Sequence, residues 1–308
     1  GGRDPSRVPG TIDASRRPGE GVTPRRVLTF AVGVGLCGGW AVLTEYPAAP
    51  AVLILSGYAL WRARTRGRRA LVYVLLGMGA SGLLCAALLL AYQKAAFGSV
   101  FATPLQHLVL FANVRERPFG WPRVGALGEI LFGLRRGLIP LAPILLATPW
   151  GLWLWWRQHR ALAVVSASVI VCYLLVNAAF ATPLGGWSYG PRYIGAALPF
   201  FCLAVPAVWD RLTTRREPAP LGRGRFTRPL AGGAFVAVAA LGASMTFVAV
   251  STTVQPPESL ARPMSQLLMP AFLDGDLMLN HQSFLDAGAH AARLRGGSLP
   301  HAAWNLGE

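Results

Sequence analysis

The stretch ALVYVLLGMGASGLLCAALLLAY, residues 70–92, decides the fold class. It runs for 23 residues without a charge. A helix rising 1.5 Å per residue needs roughly 20 such residues to cross a hydrocarbon layer of about 30 Å. RARTRGRR (62–69) stands immediately before it, with five arginines in eight positions, and Gln93 and Lys94 follow. The spacing predicts a transmembrane helix with one strongly basic end.

Six more apolar runs flank this one: 27–44, 48–61, 138–156, 161–180, 194–209 and 230–250. Runs 48–61 and 194–209 are short. Pro140, Pro143 and Pro149 interrupt the run 138–156, and Pro199 and Pro206 the run 194–209. Membrane helices tolerate such prolines because neighbouring helices re-satisfy the freed backbone groups. The expected fold is all-α and polytopic, with about seven transmembrane helices and interfacial helices on the extracytoplasmic side. Residues 1–26 read as a basic cytoplasmic loop, 27–250 as the transmembrane domain, and 251–308 as an extracytoplasmic tail that would precede a last helix. The chain opens at Gly1 in a basic, Pro- and Gly-rich stretch that resembles an internal loop, so we expect a piece of a longer protein.

Composition agrees. Hydrophobic residues make up 53% and charged residues 14%, where a soluble domain carries about 25% charged. Disorder over most of the length is excluded, because it requires low hydrophobicity. The four cysteines (Cys37, Cys85, Cys172, Cys202) lie inside apolar runs without metal-ligand spacing, which excludes a disulfide scaffold. The net charge of +16 comes from 29 basic residues, all Arg except Lys94, against 13 acids. If residues 1–26 face the cytoplasm, so do 62–69, 157–160 and 210–229. These segments hold 19 of the basic residues and 5 of the acids, a net of +14, which leaves +2 for the opposite side. The positive-inside rule is obeyed at every alternation. The arginines cap helix ends and form no separate stripe, which argues against nucleic-acid binding.

The extracytoplasmic side holds two large pieces, 93–137 and 251–308. LQHLVLFANV (105–114) and VGALGEILFGL (124–134) are apolar but too short to span, and they read as helices lying in the headgroup plane. Trp121 and the group Trp150, Trp153, Trp155 and Trp156 fit aromatic belts at the two surfaces.

Gly33-Val-Gly35-Leu-Cys-Gly38 matches a dinucleotide fingerprint, but that motif needs a strand before it and a loop into a helix. Inside a span, close packing by small residues explains it better, as does the Gly35/Gly39 pair. Glu45-Tyr46-Pro47 ends the first span, and Pro47 and Pro50 make a rigid elbow of it. Glu45 is either a functional carboxylate or an ordinary acid at the membrane edge. Gly185-Gly-Trp-Ser-Tyr-Gly-Pro-Arg-Tyr193 is the most specialised loop: two glycines, Trp187, Tyr189, Tyr193, and Arg192, whose planar fork suits phosphate oxygens. The plain alternative is an aromatic-belt loop with a snorkelling arginine. Arg135 and Arg136 sit on the outer side against the positive-inside trend, either offset by an anion or in simple headgroup contact. Phe97-Gly98-Ser99 with Thr103-Pro104 would close a site from outside or form an ordinary loop. His107, His159, His281, His290 and His301 show no ligand spacing; His281 and His290 flank Asp274, Asp276 and Asp286, which leaves room for a divalent metal there.

TEYPAA (44–49), AFGSVFATP (96–104), LRRGLIPLAP (134–143) and GGWSYGPRYIGAALPF (185–200) together resemble bacterial membrane glycosyltransferases of the GT-C superfamily, near family 39 and the protein-mannosyltransferase-like proteins. The resemblance covers about residues 27–250, and the block GGWSYGPRY carries most of it. It implies an inner-membrane enzyme that takes a sugar from a polyprenyl-phosphate donor at the extracytoplasmic face and passes it to a lipid, glycan or protein acceptor. It implies an acidic base in a first external loop, which would precede residue 1. Arg192, then Arg136 with Arg135, would meet the donor phosphate. Trp187, Tyr189, Tyr193 and Tyr46 would contact the sugar or prenyl chain. Glu45 would orient a hydroxyl, hold an arginine or assist a divalent metal. A transporter or flippase for an anionic lipid-linked molecule would use the same outer residues, but predicts internal repeats and broken helices at the midplane. A non-catalytic subunit of an envelope-assembly complex is the third reading.

Overall fold

The computed structural model describes residues 23–102, 106, 116–185, 188–214, 224–253, 256 and 260–278. Most of those residues are helical, and an isolated bridge between Phe119 and Phe180 is the extended pairing recorded among them. Residues 1–22, the first proposed interfacial segment apart from Gln106, Trp187, and His281, His290 and Asp286 with the rest of the tail after Met278 lie outside this set.

Five segments are long and apolar enough to cross a membrane: Pro24–Thr44, Arg68–Phe97, Arg160–Ala179, Arg192–Thr213 and Leu230–Thr252. Their surface supports the same environment. Phe30, Leu53, Leu76 and Leu83 are each 60% or more exposed, and large apolar side chains left uncovered in this number suit a lipid surround. The other two expected spans look different. Residues 48–61 fall in a continuous helix of 17 residues, and 138–156 is divided into three short pieces.

The chain forms two compact units, residues 1–46 with 56–92 and residues 47–55 with 93–308. In the first, α1 (Pro24–Thr44) packs on α3 (Arg68–Phe97). Thr23 and Pro24 start α1, since proline lacks only a hydrogen bond that the first turn cannot make. Small residues then set the crossing. A Cβ placed on Gly35 would stand 2.7 Å from the Met78 backbone and collide with the Ser81 hydroxyl; on Gly39 it would meet Cys85 Cβ at 2.7 Å, and on Gly77 Ala31 Cβ at 2.7 Å. Glycine lets the two backbones touch, and dispersion across that contact replaces the hydrophobic driving force that lipid cannot supply. Gly33 has nothing within 4 Å of its Cβ position, so the fingerprint divides into packed and open glycines. The second half of α2 (Ala49–Thr65) belongs to this unit and its first half to the other.

The second unit is built around α6 (Arg160–Ala179), the most buried of the candidate spans. Val169, Ile170 and Tyr173 pack with Ile130 of α4 (Val124–Phe132), with Ile194 and Ala197 of the 3-10 turn Arg192–Ala197, and with Phe201 of α7 (Leu198–Leu203). Ala51 joins this core, and the Tyr173 hydroxyl donates to the Pro47 carbonyl. The prolines act as their chemistry dictates. Residues 138–158 run as a turn, Leu138–Leu141, a 3-10 turn, Pro143–Ala147, and α5 (Thr148–Gln158). Residues 192–213 run as a 3-10 turn, α7, and α8 (Val205–Thr213). The Thr148 hydroxyl donates to the Phe201 carbonyl at 3.0 Å, where α7 is about to break, so one interrupted segment satisfies the other. α9 (Gly224–Thr252) packs on α8, on the 143–147 turn and on α10 (Met269–Asp274).

Candidate functional site

At one end of the second unit three long segments meet, those between α3 and the 138–141 turn, between α6 and Arg192, and after α9. Residues 118–123 run antiparallel to 178–181: the Gly120 and Arg123 amides donate to Ala179 and Ala178, and the Ala181 amide donates to Pro118. Arg123 also donates through a guanidinium nitrogen to the Phe180 carbonyl at 3.0 Å. The Met278 amide donates to Ser251, and the Thr252 hydroxyl to Leu268. The Arg136 guanidinium donates to the Pro256 carbonyl, which links the first of these segments to the third.

The loop 185–193 sits in this assembly. Gly185 has φ +79°, a region that L side chains rarely adopt. A Cβ there would also come within 3.2 Å of Arg192 Cβ and 3.3 Å of the Tyr193 ring. Glycine is thus required both by the backbone angle and by the close approach. Ser188 donates to the Gly190 carbonyl at 2.6 Å, which tightens the turn into buried Pro191. Three rings then stack in sequence. Phe119 and Phe180 have centroids 5.1 Å apart, and Phe180 meets Tyr193 edge to face at 5.3 Å and 88°, the geometry that ring quadrupoles favour. The Arg192 guanidinium caps the series, 5.2 Å from the Tyr193 ring centre and 3.4 Å from its hydroxyl. Arg192 is exposed, so its fork is oriented by an aromatic face and open to an anion.

Tyr189 points the other way. It packs against Val248, Ala249 and Leu268, and its hydroxyl is buried without a hydrogen bond among the described residues. Burial pushes the phenol up to about 12, and the nearby Thr246 hydroxyl, itself donating to the Gly242 carbonyl at 2.9 Å, offsets this only in part.

The two outer arginines separate. Arg136 is 1% exposed and donates to the Pro256 carbonyl at 3.2 Å, tying the entry of the 138–141 turn to the segment after α9; Arg135 is half-buried. Gly190 lies 3.5 Å, measured from its Cβ position, from Leu141 Cδ1, so the loop rests on the turn that follows this pair. Glu45 and Tyr46 belong to the first unit. Glu45 is exposed and caps α1, its amide donating to Ala41 at 2.9 Å, and Tyr46 begins a 3-10 turn. Among the described residues no group of three His, Cys, Asp or Glu could hold a metal. Two features had no signal in the sequence: Arg123, which clamps Phe180, and the Phe119–Phe180–Tyr193 stack, whose members lie up to 74 positions apart.

No protein family, curated protein or solved structure matches this chain in comparison.

Proposed function

We propose that this chain is the membrane domain of a glycosyltransferase that moves a sugar from a polyprenyl-phosphate donor to a lipid, glycan or protein acceptor at the extracytoplasmic face of a bacterial inner membrane. The observation that carries the reading is Arg192, an exposed guanidinium held over Tyr193 by the Gly185 turn. The resemblance of GGWSYGPRY and its companion segments to GT-C enzymes supplies the reaction. In this reading α2 and the interrupted segment 138–158 make the sixth and seventh crossings. α4 lies in the headgroup plane, with Ala126 and Ile130 against the protein and Val124 and Phe132 outward.

The acceptor oxygen attacks the anomeric carbon and its proton passes to an acidic base, which in the enzymes this chain resembles lies in a first external loop. The bond from that carbon to the phosphate oxygen breaks with inversion. Its electron pair leaves on the polyprenyl phosphate, and a fixed cation lowers the barrier most where that charge develops. Arg192 takes this role. Arg136 is a positioning residue, since its buried guanidinium holds the Pro256 segment. Tyr193 offers a ring face to sugar or prenyl chain, and Trp187 would add another. Arg135 and Tyr46 would make donor contacts, and Glu45 would orient a hydroxyl or support a divalent metal.

Arg192→Ala in the full-length protein should lower transfer at least about 100-fold, the usual cost of losing one charge-stabilising donor, with membrane insertion unchanged. Arg192→Lys should recover only part, because an ammonium lacks the fork. Turnover unchanged by Arg192→Ala would overturn the assignment.

A second reading, an anionic-lipid transporter, draws on one observation: the segments 138–158 and 192–213 are both discontinuous, as transporter helices often are. Pro140, Pro143, Pro149, Pro199 and Pro206 account for those breaks by local sterics alone. Translocation of an intact donor by the Arg192→Ala protein would favour it.

A further inference from the structure

Helix α5 touches the junction of α7 and α8 at Gly151. A Cβ on Gly151 would stand 2.6 Å from the Ala204 carbonyl carbon and would collide with its oxygen. One turn earlier the Thr148–Phe201 hydrogen bond pins the same two segments. Between α5 and α8 lies a cleft of about 1210 Å³. Its apolar lining is formed by Trp150, Leu154, Leu203, Pro206 and Ala207. Arg157 and Arg211, both exposed, line it too, with Asp210 as the one carboxylate of the lining. The Arg157 guanidinium lies 4.2 Å over the Trp153 ring, and that of Arg160 4.6 Å over Trp156.

We propose that this cleft is a binding site for an anionic glycerophospholipid, with an acyl chain along the apolar lining and the phosphate at Arg157 and Arg211. Three features select this occupant. The volume exceeds the roughly 300–1,000 Å³ of ordinary small-molecule pockets, which suits a chain with a headgroup better than a free anion. The lining combines Trp and Leu with Arg, as a lipid combines a chain with a headgroup. The charge of the lining is positive, and guanidinium forks oriented on indole faces match phosphate oxygens; basic pockets between membrane helices hold anionic headgroups by this chemistry. A zwitterionic lipid would meet the same apolar lining but gain less from two arginines beside a single carboxylate. The cleft lies at the far end of the 192–213 segment from Arg192, so the inference stands independently of the transfer reaction.

The test uses the full-length protein in nanodiscs of equimolar dioleoyl phosphatidylglycerol and dioleoyl phosphatidylcholine, with the retained lipid identified by native mass spectrometry. Phosphatidylglycerol should be retained at least tenfold over phosphatidylcholine. Arg157→Gln with Arg211→Gln should reduce that ratio at least fivefold. Ala207→Trp, which adds bulk to the apolar lining without changing charge, should abolish retention of both lipids and keeps the inference testable if the double variant does not fold. Equal retention of the two lipids, retention indifferent to Ala207→Trp, or displacement of phosphatidylglycerol by substoichiometric polyprenyl phosphate would each overturn it.

Discussion

Tyr189 and Arg192 are three positions apart and face opposite tasks. Arg192 presents charge outward over Tyr193, whereas Tyr189 buries a hydroxyl against α9 and α10 without a partner among the described residues. Removing an unsatisfied buried hydroxyl is neutral or stabilising by up to about 1 kcal/mol, because its desolvation is no longer suffered. Tyr189→Phe should therefore raise or preserve the thermal midpoint in detergent at pH 7. The pH dependence has a definite sign. The folded phenol titrates near 12 and an unfolded tyrosine near about 10, so between these values the folded state holds a proton that the unfolded state has lost. Stability falls as pH rises through that window and is untouched below it. The wild-type midpoint should decline more steeply than that of Tyr189→Phe between those two values, and parallel curves would show that the phenol is not buried. Sequence did not reveal this inward turn, since all three loop aromatics look alike in it. Nor did it separate Arg135 from Arg136: neighbours in the chain, they differ only because one backbone step turns Arg136 inward, toward Pro256, a partner 120 residues away.

Among elements, the α1–α3 crossing was the most legible, because close backbone approach leaves a direct trace: side chains must be missing where helices touch. Gly35→Val should lower the unfolding midpoint by an amount corresponding to about 1–3 kcal/mol, the range for overpacking, whereas Gly33→Val, whose Cβ position is open, should change it little. Comparable losses at both positions would mean that the crossing is not set at Gly35. The interrupted helices were only half legible. Five prolines marked 138–158 and 194–209 as irregular, but where each segment breaks depends on what can satisfy the freed carbonyls. That is settled by Thr148 reaching Phe201, a long-range contact without periodicity. The cleft between α5 and α8 was invisible for the same reason: Gly151 and Ala204 are unremarkable until they touch.

For the whole molecule, charge and hydropathy carried the reading. The charge split of +14 and +2 predicts that the segments after α3, α6 and α9 share a side; in the structure Arg123 bonds to Phe180 and Arg136 to Pro256, linking the three. The five long apolar segments and their exposed leucines fit a multi-pass membrane protein. Chemistry was less legible, because it rests on one loop and on a resemblance. Its direct test is to reconstitute the purified full-length protein in proteoliposomes with a polyprenyl phosphate carrying a labelled sugar, together with membrane acceptor extract. Label should leave the donor with time, appear in an acceptor, and release free polyprenyl phosphate in equal amount, with Arg192→Ala nearly silent. A donor that crosses the bilayer with its sugar still attached, or one that stays intact where it was placed, would contradict the transferase reading.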